Sequence, residues 1–284
     1  MRVAKRFCRL SGIAVALLPA YAQSVEPAPS PTESAQPWRH QNRSIGIAVG
    51  TLQQRYSESD PLARTSDGIL DAEQGNLPAV TLTGRWQGPL AGRPELPDLH
   101  LQAQYRYAQG DTGYSGFLQS GNVLTPLRAT SGNQIHDLRL RAAVPLIQGP
   151  SWQWLPFVEY RHHQWLRELA QYQERFDDDA ALLGLAAQWR AAPRWMLEAE
   201  MAAGRVFRAH MSAPALAFDA DLGKRDLWRA SLSAGYDLAA HWRVKAAAEF
   251  AQSRYGSSAA GGPMIEPASK TRQSALNLGI EYLY

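Results

Sequence analysis

Between Leu99 and Tyr107 the chain alternates without a fault: Leu99, Leu101, Ala103, Tyr105 and Tyr107 are apolar, while His100, Gln102, Gln104 and Arg106 are polar. A helix of 3.6 residues per turn would wind that pattern around its whole circumference, whereas an extended chain sends it to two faces, one greasy and one wet. The same grammar recurs in ten segments, at 43–56, 77–88, 98–109, 133–147, 152–166, 179–190, 194–207, 226–238, 241–255 and 272–284. In the last of them Leu276, Leu278, Ile280, Tyr282 and Tyr284 share one parity, with Asn277, Gly279 and Glu281 on the other and only Leu283 breaking the pattern. The pattern predicts ten strands.

The connections alternate in length. Long stretches rich in Gly, Ser, Asp and Pro fall at 57–76, 110–132, 167–178, 208–225 and 256–271, and short ones lie around Gly149–Pro150, Ala191 to Pro193 and Ala239–Ala240, with Pro89 to Pro97 as the exception. Trp86, Trp152, Trp154, Trp189, Trp195 and Trp242 all lie beside the short-turn ends, and Tyr107, Trp165, Phe207, Trp228 and Tyr255 lie at the opposite ends. Indole and phenol rings favour the boundary between lipid and water, so the two sets predict two aromatic girdles. Beyond the first residues no apolar run approaches the ~20 residues of a membrane helix, so a membrane would have to be crossed by strands.

The closing stretch resembles the last strand of Gram-negative outer-membrane β-barrels, which commonly ends in alternating apolar residues and a terminal aromatic read by the assembly machinery. The resemblance implies an assembly signal at Leu278, Ile280, Tyr282 and Tyr284. It also implies an all-β fold, a transmembrane antiparallel up-and-down barrel with short periplasmic turns, long extracellular loops and an even number of strands. Ten is the expected count, with eight as the alternative if 43–56 stayed outside the wall together with another segment.

The first residues read as a signal peptide over 1–22. Arg2, Lys5, Arg6 and Arg9 precede the apolar run Ile13 to Leu18, and Ala20-Tyr21-Ala22 supplies a small-residue cleavage site. Residues 23–42, with Pro27, Pro29, Pro31 and Pro37, read as a flexible periplasmic lead-in, leaving 43–284 for the barrel. Cleavage removes the only cysteine, Cys8, and turns a net charge of +3 into 25 basic against 26 acidic residues. A nearly neutral mature chain gives no reason to expect nucleic acid as a partner, and neither a cofactor nor a metal is expected.

In a barrel the polar parity points into the lumen. It carries Arg106, Arg139, Arg141, Arg161, Arg190, Arg229, Arg243 and Lys245 against Asp137, Glu159, Glu198, Glu200, Asp237, Glu249 and Glu281, with His163 among them. Barrels of about eight strands are filled by side chains, and open porins have about 16–18, so long side chains of cancelling sign in ten strands predict a plugged interior. Because buried charges must pair, Arg139 or Arg141 is expected to meet Glu159.

Candidate chemistry is sparser. A ten-stranded barrel of this size resembles the omptin proteases, in which an Asp pair and an Asp–His pair at the extracellular rim activate a water. The nearest matching residues are His210, Asp219 and Asp221, without an Asp-x-His on one face. His210 and Ser212 share a side of an extended strand, as in the outer-membrane lipid A deacylases, but Ala213-Pro214 follows where that family has Asn and Ala, and Pro214 predicts a loop. A hydrolase would need His210 within hydrogen-bond reach of Ser212, Asp219 or Asp221. Adjacent His162 and His163 point to opposite faces, which argues against a metal pair.

The loops remain as the surface for recognition. The leading expectation is therefore a structural or adhesin-like surface protein of the outer membrane without enzymatic activity. Its expected partners are outer-membrane lipid and lipopolysaccharide, the barrel-assembly machinery and an extracellular ligand held by the loops. A hydrolase or a small channel are the alternatives.

Overall fold

The computed structural model describes residues 38–62, 64–90, 93, 96–120, 123–169, 172–224, 226–258 and 266–284. The signal-peptide reading of 1–22 and the lead-in over 23–37 lie outside the described residues.

Twelve strands form: β1 (Ser44–Ser59), β2 (Ile69–Pro89), β3 (Asp98–Ser120), β4 (Val123–Ala143), β5 (Ile147–Gln148), β6 (Trp152–Leu169), β7 (Tyr172–Ala192), β8 (Trp195–Ala213), β9 (Phe218–Gly223), β10 (Asp226–Ala239), β11 (Trp242–Ser258) and β12 (Ser269–Leu283). Ten of them close into an antiparallel ring in sequence order, β8 pairing with β10 and β12 returning to β1. β5 is a two-residue bridge to β6 at the periplasmic end, and β9 folds back as a hairpin on β8 while touching β11. Among the described residues each of the ten ring strands pairs with a neighbour on both sides through the ring, which is what a bilayer demands of β-structure, while β4 from Val123 to Thr130 rises above it paired with β3 alone.

The seam sets the register of the whole wall. Ile45 lies opposite Tyr282, Val49 opposite Leu278 and Thr51 opposite Leu276, so apolar side chains of β1 and β12 face lipid together. Gly50 is needed there because a Cβ would run into the Leu276 carbonyl. Leu183, Met201 and Leu232 are 69, 70 and 65% exposed on the same outer surface. Inside, Tyr56, Trp165 and Phe176 pack at ring separations of 5.0 and 4.9 Å and lead a buried apolar cluster with Leu52, Leu77, Ile135, Val206, Met211 and Leu227.

Four expectations change. The long stretches at 57–76, 110–132, 167–178 and 208–225 are mostly strand, because β2, β3, β4, β6, β7 and β8 run on past the apolar band and β9 forms there, while in 256–271 strand covers 256–258 and 269–271. Their outer faces meet water instead of lipid, so the alternation fades although the hydrogen-bond ladder continues. Trp165 and Tyr255 do not join the outer girdle. They share the parity of Arg161 and Glu249, respectively, and are buried inside, whereas Phe207 and Trp228 do face outward. The segment 133–147 stops at Ala143 before the β5 bridge. Finally, 38–42 is no loose lead-in: 38–41 form one helical turn, Trp38 is fully buried, and its indole Nε1 donates to the Gly149 carbonyl at 2.8 Å.

Two measurements follow from this wall and floor. Leu232→Arg, placing a cation in the middle of the lipid-facing band, is expected to cost about 2–4 kcal/mol in equilibrium unfolding from lipid vesicles. Trp38→Ala, emptying the floor of the barrel, is expected to cost about 3–5 kcal/mol in the same assay.

Candidate functional site

The lumen is built from the inward parity of neighbouring strands. Arg141 on β4 reaches Glu159 on β6 at 3.0 Å and Glu200 on β8 at 2.6 Å, and Arg229 on β10 closes on Glu159 at 2.7 Å and on Glu200 at 3.2 Å. Glu249 on β11 takes Arg139 at 2.5 Å and Arg106 at 2.9 Å, crossing the barrel to β4 and β3. Arg139 also holds Asp137, which accepts from Arg161 at 2.6 Å and lies 3.2 Å from His163 Nδ1. Arg161 then faces Asp178 at 3.9 Å, whose other oxygen accepts from the Tyr255 hydroxyl. Each charge that a low-dielectric interior would penalise therefore has an opposite charge beside it.

Below this layer Glu198 pairs with Arg85 at 2.8 Å and Lys245 at 3.7 Å, and Lys245 lies 3.6 Å from Glu281. An amide layer seals the floor: Asn42 donates to Gln87 and Gln188 at 2.7 and 2.9 Å, and Gln153 donates to Gln188 at 2.6 Å. Arg39 clamps Asp98 at 2.8 Å and Arg243 binds Asp237 at 2.7 Å as well as Gln41. His100 is buried in this region, and neither ring nitrogen has a hydrogen-bond partner among the described residues. Between the two charged layers remains a cavity of about 90 Å³, lined by Arg85, Arg106, Arg229 and Lys245 against Glu198, Glu200, Glu249 and Glu281.

Above the membrane level the interior becomes acidic. Arg167 sits among the rings of Tyr56, Trp165 and Phe176 and is paired with Glu174, with Glu73 at 3.6 Å and Glu58 at 3.8 Å. The Tyr56 hydroxyl donates to Glu58 at 2.7 Å and lies 3.5 Å from Glu266. Burial, followed by the neighbouring carboxylates Glu266 and Asp71, holds Glu58 well above the ordinary carboxylate range despite Arg167. Burial also raises Glu266, to about 7, with Glu174 and Asp71 adding to it and Arg167 opposing. Thr112 and Asn133 hydrogen-bond Glu73, and Tyr114 donates to Asp71 at 2.6 Å. Apart from Glu266, which precedes β12, these residues continue the inward parity of β1, β2, β3, β4, β6 and β7, the signal by which the sequence could have shown them.

The candidate catalytic residues lie elsewhere. His210 Nδ1 is 3.1 Å from Asp221 and Nε2 is 3.3 Å from Asp219, while Ser212 stands opposite Asp219 in the β8–β9 pairing. All four face outward, because the ladder between β7 and β8 slips at Phe207: Ala180 pairs with Val206 and Asp179 with Arg208. The extra residue inverts the parity of the rest of β8, turning Ala209, Met211 and Ala213 inward. Pro214 opens a one-turn 3₁₀ helix after the strand, so His210 and Ser212 sit on a strand and not in a loop. Both carboxylates are open to solvent, at 75 and 88% exposure. His162 and His163 do face apart, His162 pairing with Asp179 at 2.8 Å, and no cluster suited to a metal ion occurs among the described residues. Leu278, Ile280, Tyr282 and Tyr284 line the outer wall.

No family model matches the chain, and no curated protein does. Among solved structures it is similar to the outer membrane protease OmpT of Escherichia coli, with 12% identity over 86% of this chain and 97% of that one, at a TM-score of 0.60. The transport unit of the autotransporter AIDA-I, also from Escherichia coli, covers 86% of this chain and 91% of its own at 11% identity and a TM-score of 0.44. At these identities the first likeness concerns the fold alone: the chain has the architecture of an outer-membrane β-barrel.

Proposed function

We propose that the protein is a non-conducting outer-membrane barrel, exported from a precursor with the signal peptide at 1–22, whose extracellular end binds a ligand. The observation that carries this reading is the filled lumen. The remaining cavity of about 90 Å³ has four cationic and four anionic residues on its wall and holds only a handful of waters. An ion entering such a layer would have to break buried pairs, each linked to others, and the amide floor over Trp38 adds a second barrier. Function is then left to the strands that rise beyond the bilayer and to the turns that join them, in keeping with a rigid barrel used as a scaffold for recognition. Export ends in the outer membrane of a Gram-negative bacterium, with Leu278, Ile280, Tyr282 and Tyr284 as the segment presented to the assembly machinery.

One observation favours a second reading, a hydrolase, since His210 meets both Asp219 and Asp221. A general base needs a nitrogen free for the nucleophile or its water. Both ring nitrogens are taken by carboxylates here, so the scaffold reading is preferred. His210→Ala should leave any hydrolytic activity of the preparation unchanged; its disappearance would move the function to β8 and β9.

The refolded protein should be electrically silent in planar lipid bilayers once its insertion is verified. Steady ion-conducting steps from the wild type would overturn the closed-lumen reading. Glu200→Ala, which strips Arg141 and Arg229 of a shared carboxylate, should cost about 3–5 kcal/mol in unfolding experiments.

The acidic interior beneath the extracellular turns sets a pH dependence. Glu266 binds its proton more tightly folded than unfolded, so its contribution to stability is complete below about pH 4.5 and is lost as the pH rises through about 7. Amide exchange of the upper ends of β1, β11 and β12 should accordingly quicken between those limits, beyond the intrinsic effect of pH on exchange. In Glu266→Gln that excess should vanish; an unchanged profile would assign it to another group.

A further inference from the structure

We propose that Arg55, Arg254, Lys270 and Arg272 form a binding site for the phosphate groups of a glycolipid in the outer leaflet. The inference rests on the barrel's residence in an outer membrane and is independent of what the extracellular end binds.

All four cations lie on the outer face of three adjoining strands at the seam where the ring closes. On β12, Lys270 and Arg272 have the parity of Leu276, Leu278 and Ile280, which face lipid. On β1, Arg55 has the parity of Val49 and Thr51, and on β11 Arg254 follows Phe250 and Gln252. The apolar outer run on β12 extends from Leu276 to Tyr284, about 26 Å along a strand at ~3.3 Å per residue, which with tilt nearly fills the lipid-facing band. Arg272 comes four residues before Leu276 and Lys270 two before that, so the cations stand where lipid headgroups lie.

Their arrangement is costly unless an anion joins them. In the ladders Arg55 stands directly opposite Arg272, and Arg254 directly opposite Lys270. Like charges in that position repel. None of the four takes part in an ion pair among the described residues, and Arg272 donates only to Gln252, at 3.3 Å. The carboxylates around them are engaged otherwise: Asp226 faces Arg205 at 3.9 Å, and Glu58 turns inward to Tyr56 and Arg167. Partial desolvation, then Arg272 and Arg254, push the Lys270 ammonium below its ordinary value. A chain that pairs its lumen charges so thoroughly leaves these four bare on one surface.

Phosphate matches this patch in charge and in the donors it presents. Guanidinium groups take phosphate oxygens through two parallel N–H bonds, and lysine adds a point charge. Beside the patch lies a depression of about 400 Å³ lined by Arg254, Lys270 and Ser57 together with the carboxylates Glu58 and Asp226; Ser57 shares the outward parity of Arg55 and offers a hydroxyl for a sugar. A lipid bearing phosphorylated sugars would set its acyl chains along Leu276 and Phe250 while its phosphates bridge the two repelling pairs.

The test uses the full folded chain in neutral detergent with purified lipid A as the probe, read by native mass spectrometry and by thermal melting. In Arg55→Gln, Arg254→Gln, Lys270→Gln and Arg272→Gln combined, lipid A affinity should fall by about fivefold per cation removed. Lipid A stripped of its phosphates should bind the wild type as weakly as intact lipid A binds the variant. Without lipid the variant should melt at or above the wild type, since the repulsion is gone. Undiminished affinity of the variant, or indifference to the phosphates, would overturn the site. A variant that melts lower without lipid would also overturn it, showing that the cations serve the fold itself. Full displacement of lipid A by millimolar inorganic phosphate would reassign it to free anions.

Discussion

Everything inside this barrel depends on one constraint: a guanidinium or carboxylate removed from water must find its opposite within a few ångströms. Ten strands give a lumen narrow enough for Arg139 on β4 to reach Glu249 on β11 across it, and wide enough that Arg141 and Arg229 can share Glu159 and Glu200. The charged layer thereby fixes the cross-section. It ties β3, β4, β6, β8, β10 and β11 to each other through side chains as the backbone ladder ties them through neighbours. A scaffold clamped in this way at its waist can present different turns above it without losing its shape.

The interior changes character with height. An amide and Trp38 floor gives way to the neutralised ion layer, then to the rings around Arg167 and the crowded carboxylates of Glu58, Glu73, Glu174 and Glu266. Charge excess is tolerated near the extracellular end because protonation can relieve it there, as the raised Glu58 and Glu266 indicate. The outside follows the complementary rule: apolar over the lipid band, then a border at which Arg55, Arg254, Lys270 and Arg272 stand unpaired. Inside and outside are thus two surfaces with different solvents, and each strand has to satisfy both.

That double duty explains how much the chain discloses. Period-two alternation fixes strand identity wherever one face meets lipid and the other meets charge, so the ten segments, their order and the inward set from Arg106 to Glu281 can be read directly. Above the band both solvents are polar on the outside and mixed on the inside. There the strands of β2, β3, β6 and β7 continue through stretches that look like loops, and only the parity carried up from below marks Glu73 or Arg167 as inward.

By itself the sequence determined the barrel class and the near cancellation of lumen charge, because these follow from residue parity and composition, whereas the choice of ten wall strands over eight came with the closure of β12 on β1. Tertiary structure alone decided which charges meet, since Arg139 and Glu249 are 110 residues apart and become neighbours only when the ring closes. It alone decided that Trp38 plugs the floor, since a tryptophan after a proline-rich stretch has no period to read. And it decided the facing of His210 and Ser212, because the one-residue slip at Phe207 arises from the pairing with β7. Strict alternation from Glu198 and Glu200 would have carried both side chains into the lumen; a single unpaired residue in the ladder turns them out to the solvent.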